Sequence, residues 1–271
     1  MSKDSYPLND FEKNGFAVLS NQIPEDLLDE FNNEFKLILQ SYLLKAGIDE
    51  LNTKEIDFHS KAIMNLEEVD HSFVAEVYDT IFQCPSFLQI VSCKEMINPV
   101  KTILKNNNTP LYGYTNRCRI DPPVDNRRTY GWHQEVFYTI PESTLLQTWG
   151  PLIYPTTEEN GTLSLAIGSH QEGIADQTWT EEEGRAVQII VNEDIVSKYE
   201  QTTLEMNVGD LLIFSPKLFH KSGNNTSKNV RFSFVGQYHD VNSNGFSAPN
   251  INFEFRGKDP KTYYSQYFKN N

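Results

Sequence analysis

The sequence predicts a mainly β fold with α: a double-stranded β-helix (jelly roll) behind an N-terminal helical buttress. Three observations predict it. Short strand-like runs punctuated by turn residues fill positions 109–240. Helical apolar stripes are confined to the stretch before them. The 17 Phe and 13 Tyr suit a β-rich core. At 271 residues the chain can bury the core of one large domain. That domain is read as 1–271, with the buttress at about 1–108, the jelly-roll core at about 109–240 and a C-terminal lid or tail at 241–271.

The elements follow in order. Phe11 to Leu19 reads as a helical turn, then a strand over Phe16 to Leu19. Pro24 opens a helix to about Lys45. Leu27, Leu28, Phe31, Phe35, Ile38, Leu39 and Tyr42 recur there at three- and four-residue steps, and Gly47 supplies the stop. A second helix covers Asp70 to Phe82. A third runs from Pro85 towards Lys105, with an interruption expected near Pro99. These stripes are core positions; His59 and His71 are expected at the surface or at caps. From Leu111 the signal turns to β. Leu111 to Ile120 is a strand, and Asp121 to Tyr130 a polar loop. Gly131 to Tyr138 and Leu145 to Ile153 are strands, followed by a turn at Glu158 to Gly161. Thr162 to Ala166, Gln188 to Val191, Thr202 to Met206, Leu211 to Phe214 and Val230 to His239 complete the set, with a turn at Asn207 to Asp210. The polar segment Gly168 to Arg185 is expected to loop over the mouth. The tail carries Tyr263, Tyr264, Tyr267 and Phe268, as a lid or an interface.

Charge narrows the partners. A net charge of −14 repels a nucleic-acid backbone. No apolar run is long enough to cross a bilayer, and the first residues carry no signal core, so no membrane partner is expected. Cys84, Cys93 and Cys118 show neither metal nor disulfide spacing, which points to a reducing compartment, with the cytoplasm as the default. A small-molecule substrate is the partner that remains; nothing in the sequence sets the oligomeric state.

The chemistry centres on Gly131-Trp132-His133-Gln134-Glu135. On a strand, alternate side chains share a face, so His133 and Glu135 point the same way. A lone H-x-E is a weak signal. It gains weight from His220, a second histidine far away in sequence. Two imidazoles and a carboxylate on one octahedral face form the triad of non-haem Fe(II) oxygenases, leaving open positions for a 2-oxo acid and O2. Arg231 lies eleven residues after His220, and Ser233 shares its strand face. An arginine fork with a hydroxyl suits the distal carboxylate of 2-oxoglutarate in a buried pocket.

The order of motifs resembles the phytanoyl-CoA dioxygenase family, to which ectoine hydroxylase and several natural-product oxygenases belong. The motifs are Trp132-His133-Gln134-Glu135, Trp149-Gly150-Pro151-Leu152, Asn160-Gly161-Thr162-Leu163, Gly168-Ser169-His170, Gly209-Asp210, His220-Lys221-Ser222 and Arg231. The match runs from about Tyr112 to Gln237, with an echo at Asn14-Gly15-Phe16. One departure is Glu135, where most members carry Asp. A carboxylate of either length argues against the related halogenases, which replace the acid with a small residue. The resemblance implies a hydrogen-bonding role for Ser222 and a cosubstrate contact from Tyr130. It also implies a pocket-facing arginine at Arg119. It places His170 near the rim, in a structural role. Trp149, on a neighbouring strand, is expected to wall the pocket.

The reading is an Fe(II)- and 2-oxoglutarate-dependent dioxygenase that uses O2. It is expected to hydroxylate a small polar metabolite, with release of succinate and CO2. His133, Glu135 and His220 hold iron, and Arg231 and Ser233 hold the distal carboxylate. Arg117 and Arg119, two apart, share a strand face. Outward, the usual case for a strand pair, they would be solvated; the resemblance and the apolar Cys118 and Ile120, suited to packing against helices, favour inward. Buried there, they need anions: the cosubstrate's other carboxylate for Arg119, an acid group on the substrate for Arg117. Two other readings remain open: a non-catalytic jelly-roll binding protein, and a cupin-like metalloenzyme that does not use 2-oxoglutarate.

Overall fold

The computed structural model describes residues 6–248 apart from 126, 128, 141 and 182–187. Residues 249–271, which hold the aromatic residues of the C-terminal tail, and part of the Gly168 to Arg185 segment therefore lie outside the described residues.

The helices come first. They are α1 (Tyr6–Asn14), α2 (Glu25–Lys45), α3 (Phe58–Val69), α4 (His71–Ile81), α5 (Pro85–Ser92) and α6 (Lys94–Ile103), with β1 (Phe16–Leu19) between the first two. The strands that follow are β2 (Leu111–Asp121), β3 (Leu145–Pro151), β4 (Leu163–Ala166), β5 (Gln177–Thr180) and β6 (Gln188–Val191). After a short helix, α7 (Glu193–Val196), come β7 (Gln201–Thr203), β8 (Leu211–Phe214), β9 (His220–Ser222) and β10 (Arg231–Asp240). Five of them form an antiparallel sheet in the order β1-β8-β3-β10-β2, and three form a second sheet in the order β7-β4-β9. β5 and β6 pair separately. The architecture is the jelly roll the sequence predicts, with sheets that do not close.

The large sheet is coated by helices on one face. Phe31, Phe35 and Leu39 of α2 join Ile63 of α3 and Val77 of α4 in one core with Cys118, Ile120, Ile213, Phe232 and Phe234 of the sheet. Phe35 meets Phe232 edge-on, 5.5 Å between centroids. Each such buried side chain stabilises the fold by about 1.5–3 kcal/mol. The other face packs on the small sheet through Trp149, Leu212 and Phe214 against Leu163, Leu165 and Leu218.

Several expectations are corrected. His133 and Glu135 do not lie on a ladder strand. His133 makes a single bridge with His220, and Glu135 begins a 3-10 turn, Glu135–Phe137. The expected third helix breaks at Cys93, not at Pro99, which sits inside α6. Pro99 is at its sixth position, and the Glu95 carbonyl that it cannot bond accepts instead from Nε2 of Gln22 at 2.8 Å. Helix α3 was not foreseen. Its His59 is buried among the rings of Phe35, Phe58, Tyr154 and Phe232 rather than at the surface. Burial holds its imidazole down to about 4. β2 continues through Asp121, which the sequence places in a loop, and β7 is shorter and earlier than Thr202 to Met206. The Gly168 to Arg185 segment contains a 3-10 turn, Ser169–Glu172, and β5.

Candidate metal and cosubstrate site

The triad is assembled from two segments tied back to back. The His133 amide donates to the His220 carbonyl (3.0 Å) and the His220 amide to the His133 carbonyl (3.1 Å), while the Glu135 amide donates to Pro216 (2.9 Å). Gln134 is extended, so side-chain alternation survives without a ladder. His133 and Glu135 therefore face the cavity while Trp132 and Gln134 face away. The Gln134 amide is fully used. It donates to the Gly173 and Lys217 carbonyls and accepts from the Ala175 amide and the Gln177 side chain. This bracket fixes the turn that presents the ligands.

Both imidazoles are oriented by their own backbone. Nδ1 of His133 lies 2.8 Å from the Gly131 carbonyl, and Nδ1 of His220 lies 2.9 Å from that of Leu218. A carbonyl only accepts, so each Nδ1 carries the proton and each Nε2 presents a lone pair. Those Nε2 atoms lie 3.8 Å and 3.7 Å from Oε2 of Glu135. His133, Glu135 and His220 are the one group of three metal-ligating side chains among the described residues whose donor atoms converge. Burial, with His220 alongside, holds His133 down to about 3, so it stays a neutral donor. Burial works to raise the Glu135 carboxyl, but the two imidazoles and the Gln237 amide outweigh it and keep it below its ordinary value. The donor set, two neutral imidazole nitrogens and one carboxylate, fits a divalent iron ion.

Strand alternation places the second part of the site. Arg119 and Asp121 of β2 oppose Ser233 and Arg231 of β10. Asp121 bridges both arginines: Nη2 of Arg119 donates to Oδ1 and Nη2 of Arg231 to Oδ2, each at 2.8 Å. Burial alone would raise the Asp121 carboxyl, but the two guanidinium groups hold it well below the carboxylate range. Asp121 is thus the anion that pairs with buried Arg231 and half-buried Arg119, a role the sequence reading gave to the cosubstrate. It was missed although it lies two residues past Arg119, on the same face. Arg231 is not exhausted by this pair. Its Nε, and Oγ of Ser233, are buried with no partner. Two adjacent unpaired polar groups beside the triad fit the carboxylate of a 2-oxo acid.

Both parts line one cavity of about 520 Å³. Tyr130, Trp149, Ser222 and Arg117 line it too. Ser222 Oγ accepts from the Tyr130 amide at 3.0 Å, so these two residues position one another. Trp149 is buried against the small sheet. Arg117 faces the cavity as expected but is exposed, 5.6 Å from the Phe82 ring, so it has no need of a buried anion. Cys118 and Ile120 do pack against the helices. His170 is not among the converging ligands; its ring packs on Gly15, where an added Cβ would lie 2.5 Å from Nδ1. Gln147, Gln237 and Thr139 were also missed. Gln147 Oε1 is buried and unpaired on the cavity wall. Gln237 donates to Glu135 Oε1 at 3.0 Å. The signal for Gln237 was present: it continues the face of Arg231 and Ser233 at even spacing.

The family model of phytanoyl-CoA dioxygenase (PhyH) matches residues 11–233. The peroxisomal phytanoyl-CoA dioxygenase of Homo sapiens is 23% identical over 264 residues, covering 91% of this chain and 73% of its own. The 1-deoxypentalenic acid 11-beta-hydroxylase of Streptomyces exfoliatus is 33% identical over 123 residues, 43% of each chain. Among solved structures, the epimerase SnoN in complex with Fe3+, alpha ketoglutarate and nogalamycin RO gives a TM-score of 0.60 at 14% identity. That match covers 88% of this chain and 84% of SnoN. EctD from S. alaskensis with bound Fe gives 0.59 at 15% identity, covering 90% and 78%. At these identities the structural matches speak for the fold.

Proposed function

The chain belongs to the phytanoyl-CoA dioxygenase family, and on that premise we propose that it hydroxylates a small polar metabolite bearing an acid group. It is an Fe(II)/2-oxoglutarate-dependent dioxygenase that uses O2 and acts on a small molecule. When bound, iron supplies the oxidising power, activating O2 at the expense of the 2-oxo acid, which leaves as succinate and CO2.

The residues divide the remaining work. His133, Glu135 and His220 would hold the metal at the cavity wall. Arg231 Nε and Ser233 Oγ bind the distal carboxylate of 2-oxoglutarate, which would satisfy both. Asp121 keeps Arg231 and Arg119 in place and leaves that cluster one net positive charge for an incoming carboxylate. Tyr130 and Ser222 flank the cosubstrate, and Trp149 helps to keep water from the reacting atoms. The observation that carries the substrate reading is Arg117. It lines the cavity with no carboxylate partner among the described residues. A bound acid would pair with it at the mouth, and Gln147 Oε1 offers an acceptor deeper in. The Streptomyces exfoliatus relative is named for a free acid, while the Homo sapiens relative is named for a CoA thioester. Neither alternative, the non-catalytic barrel or the cupin without 2-oxoglutarate, has an observation in its favour.

Two measurements test this. Anaerobic Fe(II) with 2-oxoglutarate is expected to give the weak visible charge-transfer band of the chelate; a folded protein without the band refutes the cosubstrate assignment. Turnover of 2-oxoglutarate is then screened against free acids, their neutral amides and esters, and acyl-CoA thioesters. Free acids are expected to be preferred, with the preference reduced in Arg117→Ala. A preference for neutral compounds or thioesters, unchanged in that variant, overturns the substrate reading.

A further inference from the structure

Glu135 poses a problem of reach. A glutamate has one more methylene and one more rotatable bond than an aspartate. Fixing a freely rotating arm of this kind costs rotamer entropy. A ligand held only by the metal would bear that cost at each binding event. In this chain the arm is already fixed. Nε2 of Gln237 donates to Oε1 of Glu135 at 3.0 Å, which leaves Oε2 facing the two imidazole Nε2 atoms.

The amide cannot turn the other way. The Glu135 carboxylate and the Tyr138 carbonyl, 3.0 and 3.4 Å from Nε2, can only accept, so Nε2 is the end directed at them, and the Thr139 hydroxyl donates to Oε1 at 2.8 Å. The Thr139 oxygen lies 3.3 Å from Nε2 of His239, whose Nδ1 lies 2.8 Å from the Ser143 hydroxyl. With the Thr139 proton committed to Gln237, His239 donates from Nε2, and Ser143 donates to Nδ1. Every donor in this row then has an acceptor, and Nε2 of Gln237 has two, Glu135 Oε1 and the Tyr138 carbonyl. Gln237 and His239 are 1% and 0% exposed, so no water competes for these bonds. The row runs from the 3-10 turn that begins at Glu135, through β10, to the loop before β3.

We infer that Gln237 is a positioning residue that preorganises the long Glu135 arm for the metal, with Thr139 and His239 fixing the orientation of its amide. The inference rests on His133, Glu135 and His220 being the ligands, and the experiment separates the two. Cobalt(II), whose visible absorption reports its coordination, is titrated into metal-free protein, and Fe(II) binding is measured anaerobically. Stoichiometric binding that is lost in Glu135→Ala establishes the ligand set. Gln237→Leu is then expected to weaken metal binding 10- to 100-fold, the range for removing the outer partner of a ligand. A purely structural role would weaken binding whatever acid stands at 135. A positioning role requires the long arm. In a Glu135→Asp background the shorter carboxylate lies out of reach of Gln237, so Gln237→Leu is expected to change metal affinity by less than about threefold. Equal losses in both backgrounds overturn the inference, as does wild-type affinity in Gln237→Leu. Thr139→Val decides independently if Gln237→Leu does not fold or Glu135→Asp binds no metal. It removes the hydroxyl that anchors Oε1 of Gln237 and is expected to weaken cobalt binding several-fold, with an unchanged affinity overturning the inference.

Discussion

The two faces of β10 are equally buried and chemically opposite. Phe232, Phe234 and Tyr238 point into the helices, and Arg231, Ser233, Gln237 and His239 lie on the opposite face, where Arg231 lines the cavity; all are 4% exposed or less. Burial stabilises the first set without conditions. The second set must find partners, because an unpaired buried polar group costs about 1–3 kcal/mol. Gln237 and His239 find theirs within the protein, and Arg231 finds half of its set in Asp121. Arg231 Nε and Ser233 Oγ do not. The difference teaches where to look for a ligand. The fold is held from the helical face, and the groups left unsatisfied on the other face mark what the protein is built to bind.

The comparison breaks if variants on the two faces fail alike. The largest effect is expected from Glu135→Ala, which removes a ligand while leaving the helical face intact. Turnover should fall roughly a thousandfold or more, with thermal stability kept. Wild-type turnover would remove Glu135 from the metal. Phe232→Ala should do the reverse. It opens a void beside Phe35, His59 and Tyr154, and truncating a buried Phe costs about 3–5 kcal/mol. Urea unfolding measures that loss, and the fraction still folded should bind metal normally. Arg231→Ala comes next. It should raise the apparent KM for 2-oxoglutarate by an amount worth about 2–5 kcal/mol, the range for truncating one partner of a buried charge pair. Arg231→Lys should rescue it only in part, since a point charge cannot reproduce the fork. An unchanged KM in both variants would detach Arg231 from the cosubstrate.

What could be read from the chain follows the same division. Apolar faces announce themselves: α2 and the strands at Leu211 to Phe214 and Gln188 to Val191 lie where their patterns put them. The ligands were legible because alternation placed His133 with Glu135 and a distant His220 completed the set. The polar partners were harder. Asp121 reads as the start of a loop because Pro122 and Pro123 follow it, yet its side chain is what holds Arg119 and Arg231 together. His59 reads as a surface residue because histidine usually is one. Only the tertiary fold reveals four aromatic rings around it. The helix break at Cys93 came from no Gly or Pro, and I-V-S-C-K offers no local stop. The turn there is set by packing of α5 and α6 against the core.

The smallest effect is a slope in pH, and it sharpens the contrast from the helical side. His59 is a titratable group on the apolar face, 3% exposed, with Nε2 unpaired. Burial lowers its pKa from the ordinary 6.5 to about 4. The sign follows from which state takes the proton first. Below pH 6.5 the unfolded chain protonates at this position, while folded His59 refuses the proton until about pH 4. Stability is therefore full above pH 6.5 and declines as pH falls through that window. At pH 5.5 the loss from this residue alone is about 1 kcal/mol. The carboxylates held low, Asp121 and Glu135, lose their contribution only at lower pH. The upper half of the window thus belongs to the histidines, and His133 and His239 share it because their values are also lowered. Replacing His59 by Phe separates them, since the neighbouring rings of Phe35, Phe58 and Phe232 already suit an aromatic side chain. Urea unfolding of His59→Phe should match or exceed wild-type stability at pH 5.5, with a shallower fall between pH 7 and pH 5.5. An identical slope in the two proteins would mean that the charged imidazole is accommodated in the folded core, contrary to its burial.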